Sequence, residues 1–148
     1  MFNLIVSGAG WKSHRDSFSS GRVLEYTDPS IVQRFMPDKR LDFQAVSKLP
    51  TLFMSETQGA GDQVAHVGVI TQLRLSGTEY QIEYAIDPAI RPIPNVVLAR
   101  MAGELGLEDF EFSRTHWAIK DVDLHRVLLR NLSSNLPTPK VFQLSPEP

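Results

Sequence analysis

The chain has 148 residues, the length of one domain, and 42% of them are hydrophobic, enough to bury a core. A formal net charge of −2 argues against nucleic-acid binding, since nucleic-acid binders normally carry a basic excess. The absence of cysteine excludes disulfides and thiolate metal sites, and no apolar run approaches the roughly 18 residues of a membrane span. These features predict a cytoplasmic protein that makes no membrane contact and needs no metal or cofactor.

The N-terminal half alternates short strands and short helices. Asp28 and Pro29 are typical of a helix start, because aspartate caps the first amides and proline fits the first turn. Met36-Pro37 ends that helix. In chain order we predict a strand at Leu4–Val6, a polar loop from Lys12 to Gly21, a strand at Arg22–Tyr26, helices at 29–35 and 42–48, and a strand at Thr51–Met54.

A β-hairpin is the clearest structural signal. From Ala65 to Leu75 the odd positions are almost all apolar, and from Thr78 to Ile86 the even positions are. A two-residue turn at Ser76-Gly77 would pair Leu75 with Thr78 and keep each apolar set on one buried face.

The C-terminal half contains two helices around a central strand. Asn95 is predicted to cap a helix at 96–105, which Gly106 terminates. Extended pieces are predicted at Phe110–Phe112 and Trp117–Ile119, and Asp121 is predicted to cap the last helix.

The fold class predicted from these elements is α+β: a mostly antiparallel sheet or small partly closed barrel, with three to four short helices. Residues 1–132 would form the domain. Residues 133–148 would form a proline-rich linker or tail.

Candidate functional residues cluster near Trp117. Arg114, His116 and Lys120 stand at alternating positions and so could share one face, with Glu111 nearby. His116 could act as an acid or base with Glu111, while the two cations could bind an anionic ligand or a partner's carboxylate. The structural alternative is a histidine that holds its strand in place and cations that pair with Glu111 and Asp123. No catalytic residue can be assigned.

A glycine-rich segment, Ser7–Ser13, follows the first strand as phosphate-binding loops do. Trp11 separates Gly10 from Lys12, however, and the third glycine of a dinucleotide fingerprint is missing. A tight strand exit is the better interpretation.

Four segments together resemble the N-terminal region of bacterial proteins in which a nucleotide-processing domain follows: Gly21–Thr27, Leu49–Phe53, Arg114–Leu124 and Pro139–Phe142. The following domain in those proteins is similar to TIR or nucleoside 2-deoxyribosyltransferase folds, and here it would begin after Pro148. The resemblance implies a recognition or regulatory half, in stress or phage-defence signalling.

Our first hypothesis is therefore a non-enzymatic module that senses a small anionic ligand or a protein and controls an attached or partner effector. The alternative is a nucleotide-binding or nucleotide-processing enzyme domain that uses Arg114, His116 and Lys120. That alternative requires the three side chains to converge in one concave pocket.

Overall fold

The computed structural model describes residues 1–11, 14–59 and 62–135. In chain order the strands and helices are β1 (Phe2–Ser7), β2 (Arg15–Ser19), α1 (Pro29–Phe35), α2 (Phe43–Val46), β3 (Thr51–Ser55), β4 (Val64–Ser76), β5 (Glu79–Ile86), β6 (Ile93–Pro94), α3 (Asn95–Arg100), α4 (Ala102–Leu105), β7 (His116–Lys120) and α5 (Leu124–Asn135). Short 3-10 helices lie at Ser20–Arg22, Pro37–Lys39 and Asp109–Ser113.

The strands form one open sheet in the order β2-β5-β4-β3-β1-β7, with β6 paired to β4. Only β1 and β3 run parallel, and the other pairs are antiparallel. The α+β prediction is confirmed. The sheet does not close into a barrel, and the described residues hold five α-helices rather than three to four.

Both faces of the sheet are buried at its centre. Alternation along β1 sends Leu4 to one face and Ile5 to the other. The first core packs α3, α4 and α5 against one face, with Leu98, Leu105 and Leu128 among its residues. The second core packs α1 and α2 against the other face and contains Ile31, Phe35, Val46, Phe53 and Trp117.

The predicted hairpin is confirmed, but its register differs by two residues between the turn and Gln72, and by one residue from Ile70 back to Gly68. The turn lies at Gly77-Thr78, so Leu75 pairs with Tyr80 instead of Thr78. The shift of two residues near the turn keeps every side chain there on its face, which is why the apolar pattern of that part fits both registers.

A β-bulge in β4, between Ile70 and Gln72, was not predicted. Before it, odd residues such as Val67 face the first core; after it, odd residues such as Leu73 face the second core. The bulge therefore changes the second-core positions of this 13-residue strand from even residues, such as Ile70, to odd residues. Val69, which precedes the bulge, is exposed, contrary to the predicted alternation.

Two N-terminal predictions were wrong. The polar loop from Lys12 to Gly21 contains β2, whose single buried residue, Phe18, leaves little periodic signal. The segment Arg22–Tyr26 is not a strand: Arg22 ends the 3-10 helix at Ser20–Arg22, and the residues after it touch β7 through one bridge, from Val23 to Trp117.

The C-terminal helices also differ in detail. The predicted helix at 96–105 breaks at Met101 into α3 and α4, while Gly106 ends α4 at φ 76° as predicted. Phe110–Phe112 belongs to a 3-10 helix rather than an extended piece. Asp123, not Asp121, accepts a hydrogen bond from the first turn of α5. That helix reaches Asn135, and residues 136–148 of the predicted tail lie outside the described residues.

Candidate functional site

The loop between Val23 and Thr27 is held in an unusual conformation on the outer edge of β7. Leu24 and Tyr26 have φ values of 58° and 52°, in the left-handed region that non-glycine residues rarely adopt. Thr27 fixes the loop, because its Oγ1 accepts a hydrogen bond from the Ile119 amide and donates one to the Glu25 carbonyl, each at 3.1 Å. The result is that Leu24 is buried while Tyr26 points outward.

Tyr26 forms an exposed aromatic pair with Phe110. Their ring centroids lie 4.8 Å apart at 76°, an edge-to-face contact, and the two residues are 47% and 46% exposed. Single exposed aromatics are common on protein surfaces, but a fixed pair forms a contiguous apolar patch.

Arg114 borders this pair and is itself held in place. Its Nε and Nη2 donate to the two carboxylate oxygens of Glu25 at 3.3 and 3.1 Å, a bidentate pair. The Arg114 guanidinium also lies 5.6 Å from the centroid of the Tyr26 ring. These hydrogen bonds to Glu25 raise the pKa of Arg114 above its usual value. We call Glu25, Tyr26, Phe110 and Arg114 the aromatic surface.

A buried polar cluster of Glu111, His116 and Lys120 lies behind the aromatic surface. Lys120 Nζ lies 2.9 and 3.0 Å from the two Glu111 carboxylate oxygens, and His116 Nε2 lies 3.0 Å from Oε1. The Glu108 amide donates to Glu111 Oε2 at 2.9 Å. Burial raises the pKa of Glu111, but the hydrogen bonds from His116, Lys120 and Glu108, together with the Lys120 charge, outweigh it and leave the pKa below its usual value.

His116 is sealed within this cluster. Its exposed fraction is 0%, and its Nδ1–H donates to the Arg114 carbonyl, which can only accept, at 2.7 Å. Its Nε2 is hydrogen-bonded to Glu111 Oε1, and the Tyr26 ring packs against the imidazole with the two ring centroids 5.3 Å apart. Neither ring nitrogen faces a place where a substrate could bind.

The structure thus brings together three of the four predicted site residues, Glu111, His116 and Lys120, but beneath the surface. Arg114 lies at the surface, and its side chain binds Glu25 rather than joining the cluster. Its carbonyl group still links it to His116. A direct role for these residues in ligand binding stays a prediction.

The sequence interpretation missed Tyr26 and Phe110 as surface residues because it placed both in extended segments. One signal was available for Tyr26: only Thr27 separates it from the helix start at Asp28-Pro29, so a strand reaching Tyr26 would leave almost no connecting loop. Nothing local to Phe110 indicates that it meets Tyr26.

The glycine-rich segment Ser7–Ser13 has a structural role in the part that the structure describes, residues 7–11. The Gly8 amide donates to Thr115 Oγ1 at 2.9 Å, and Thr115 donates to Glu56 Oε2 at 2.6 Å. A Cβ at Gly8 would lie 3.1 Å from both side chains, so this close contact favours glycine. The Gly8 amide is therefore unavailable to a phosphate; Lys12 and Ser13 lie outside the described residues.

Within residues 1–11, 14–59 and 62–135, no three His, Asp or Glu side chains gather as ligands of a metal ion would. None of the helices in the same ranges is long and apolar enough to cross a membrane. Searches found no match between this chain and a known protein family, a curated protein or a solved structure.

Proposed function

We propose that this domain is a non-enzymatic recognition module that binds a protein partner through the aromatic surface and thereby regulates an attached or separate effector. The observation that carries the proposal is the exposed Tyr26–Phe110 pair beside Arg114. Aromatic residues and arginine are the side chains most enriched where binding energy concentrates in protein interfaces.

The way the aromatic surface is supported favours the same function. Left-handed φ values at Leu24 and Tyr26 cost conformational energy, which the surrounding contacts must offset. Such a cost is understandable if the loop has to present Tyr26 in one fixed orientation. A side chain that is ordered before binding loses less entropy when a partner docks.

The enzyme alternative has less support. Acid–base catalysis requires a group within hydrogen-bond reach of the substrate, and His116 is fully buried with both ring nitrogens engaged. A small anion is also a weaker fit than a protein surface, because Glu25 already neutralises the Arg114 charge.

The proposal includes the setting implied by the resemblance. The effector would be a domain similar to TIR or nucleoside 2-deoxyribosyltransferase folds, and the setting would be stress or phage-defence signalling in the bacterial cytoplasm. It requires that occupation of the aromatic surface changes the effector's activity.

Site-specific photo-crosslinking in cells that express the native gene tests the proposal. A photoreactive phenylalanine replaces Phe110 in one strain and Leu75, an exposed residue at the hairpin end, in a control strain. We expect one protein to be captured from position 110 and not from position 75. Tyr26→Ala should then weaken binding of that purified protein by at least about tenfold. Leu75→Ala should bind it like the wild type.

Three outcomes would contradict the proposal. The first is no capture above the level at position 75. The second is full affinity of Tyr26→Ala for the captured protein. The third is turnover of ATP or NAD by the purified chain that Arg114→Ala abolishes without changing the melting temperature, which would favour the enzyme alternative.

A further inference from the structure

A surface groove of about 320 Å³ lies between α3 and the 3-10 helix at Asp109–Ser113. Its volume is near the lower end of the range for small-molecule pockets. Pro94, Val96, Ala99 and Phe112 give it an apolar wall. Asp109 is the single ionisable side chain among the described residues that line it. The groove therefore has an apolar body and one negative charge.

Asn95 also lines the groove and is only 5% exposed. Its Nδ2 donates to the Ser55 carbonyl at 2.9 Å and to Thr57 Oγ1 at 3.0 Å. A backbone carbonyl can only accept, so the nitrogen must face Ser55 and the orientation of the amide is fixed. Both hydrogens of the amide are thus used within the protein.

The other end of the amide has no partner. Asn95 Oδ1 is buried and receives no hydrogen bond from the described residues. Leaving a buried acceptor unsatisfied is unfavourable, and such groups are rare in folded proteins. Asparagine also gains nothing here as a helix cap, because it lies inside the first turn of α3. The acceptor is thus a feature that the fold alone does not explain.

We propose that the groove binds a small organic amine, with its ammonium N–H groups directed to Asn95 Oδ1 and Asp109 and its apolar body against Val96, Ala99 and Phe112. An ammonium group supplies the donor that Oδ1 lacks and the positive charge that complements Asp109. Oδ1 is covered from solvent, so the wall must open slightly. Val96 is the lining residue with most room to move, because it is 69% exposed and belongs to neither core.

Binding of phenethylamine to the ¹⁵N-labelled chain, followed by NMR chemical shifts, tests the proposal. Two analogues separate the two contacts. The trimethylammonium analogue keeps the positive charge but has no N–H donor, whereas 3-phenylpropionate keeps the ring and reverses the charge. We expect millimolar binding of phenethylamine with shifts centred on Asn95 and Ala99, weaker binding of the trimethylammonium analogue, and no binding of 3-phenylpropionate.

Variants locate the site. Ala99→Trp should fill the groove and abolish binding, whereas Arg100→Trp, on the same helix but outside the groove, should not. Asp109→Asn should weaken binding by up to about fivefold, the effect of losing one exposed ion pair. Melting temperatures establish that each variant is folded.

Four outcomes would overturn the proposal: no shift with phenethylamine, equal binding of the trimethylammonium analogue, equal binding of 3-phenylpropionate, or unchanged binding to folded Ala99→Trp. Equal binding of the two ammonium compounds would mean that Asn95 Oδ1 accepts from water instead. The recognition proposal does not depend on any of these results, because Tyr26 does not line the groove.

Discussion

At the scale of single residues, the main feature is the buried carboxylate of Glu111, whose oxygens are all hydrogen-bonded within the protein. An isolated buried charge would destabilise the fold strongly, but Glu111 receives hydrogen bonds from Lys120, His116 and the Glu108 amide. The cluster links β7 to the 3-10 helix at Asp109–Ser113, the helix that contains Phe110. Its role is thus to fix the support of the aromatic surface.

The lowered pKa of Glu111 predicts how stability depends on pH. The unfolded chain takes up a proton near the ordinary glutamate pKa of about 4.3, while the folded chain keeps Glu111 ionised to lower pH. The stabilisation is therefore complete above that value and is lost as the pH falls through the folded-state pKa. Urea unfolding at a series of pH values should show this decline, and Glu111→Gln should reduce it.

Glu104→Gln is the matched control, because hydrogen bonds from Arg130 and Asn131 lower the pKa of this exposed carboxylate as well. Glu104→Gln should reduce the pH dependence of the free energy of unfolding less than Glu111→Gln does, since solvent screens exposed ion pairs. A pH profile of Glu111→Gln that parallels the wild type would contradict an ionised Glu111 in the folded state.

At the scale of elements, β4 is shaped by the close approach of β5 at Gly68. A Cβ at Gly68 would lie 2.1 Å from the Ala85 carbonyl oxygen, which is an impossible contact. The approach lies close to the bulge between Ile70 and Gln72. Glycine is therefore required here by the neighbouring backbone rather than by a turn.

Two glycine substitutions test this requirement. Gly68→Ala should destabilise the domain by about 1 to 3 kcal/mol, because the backbone of β4 or β5 must shift. Gly103→Ala in α4 meets no atom within 4 Å and should stabilise it by about 0.5 to 1 kcal/mol, since alanine favours helix. Chemical denaturation measures both. Equal effects of the two substitutions would show that the close approach does not constrain β4.

At the scale of the whole molecule, the two cores share one sheet. Leu4 and Leu52 contribute to the first core, while Ile5 and Phe53, their neighbours on the same strands, contribute to the second. A strand cannot lose its packing on one face and keep its register on the other. The domain should therefore unfold as one cooperative unit.

Leu128→Ala tests this cooperativity from α5. Leu128 is buried in the first core, whereas Trp11 and Trp117 pack in the second. The substitution should cost about 2 to 5 kcal/mol. The unfolding midpoint seen by tryptophan fluorescence should shift as much as the midpoint seen by far-UV circular dichroism. A fluorescence midpoint that stays at the wild-type value would mean that the two cores unfold separately.

The sequence by itself determined the elements whose signals are local: the buried strand β1, the hairpin, the helix start at Asp28-Pro29 and the stop at Gly106. It also placed Trp117 in an extended segment and grouped Glu111, His116 and Lys120. These predictions succeed because the alternation of apolar and polar residues in strands and the capping of helices depend on residues a few positions apart.

Only the tertiary structure decided which of these residues are buried and which are exposed at the candidate site. Glu25 and Arg114 are 89 positions apart, and Asn95 meets Ser55 across 40. The left-handed loop at Leu24–Tyr26 and the bulge in β4 likewise follow from what each segment packs against. Such contacts are set by the sheet edge that each segment reaches. No pattern of neighbouring residues encodes that position, because it depends on the packing of the whole fold.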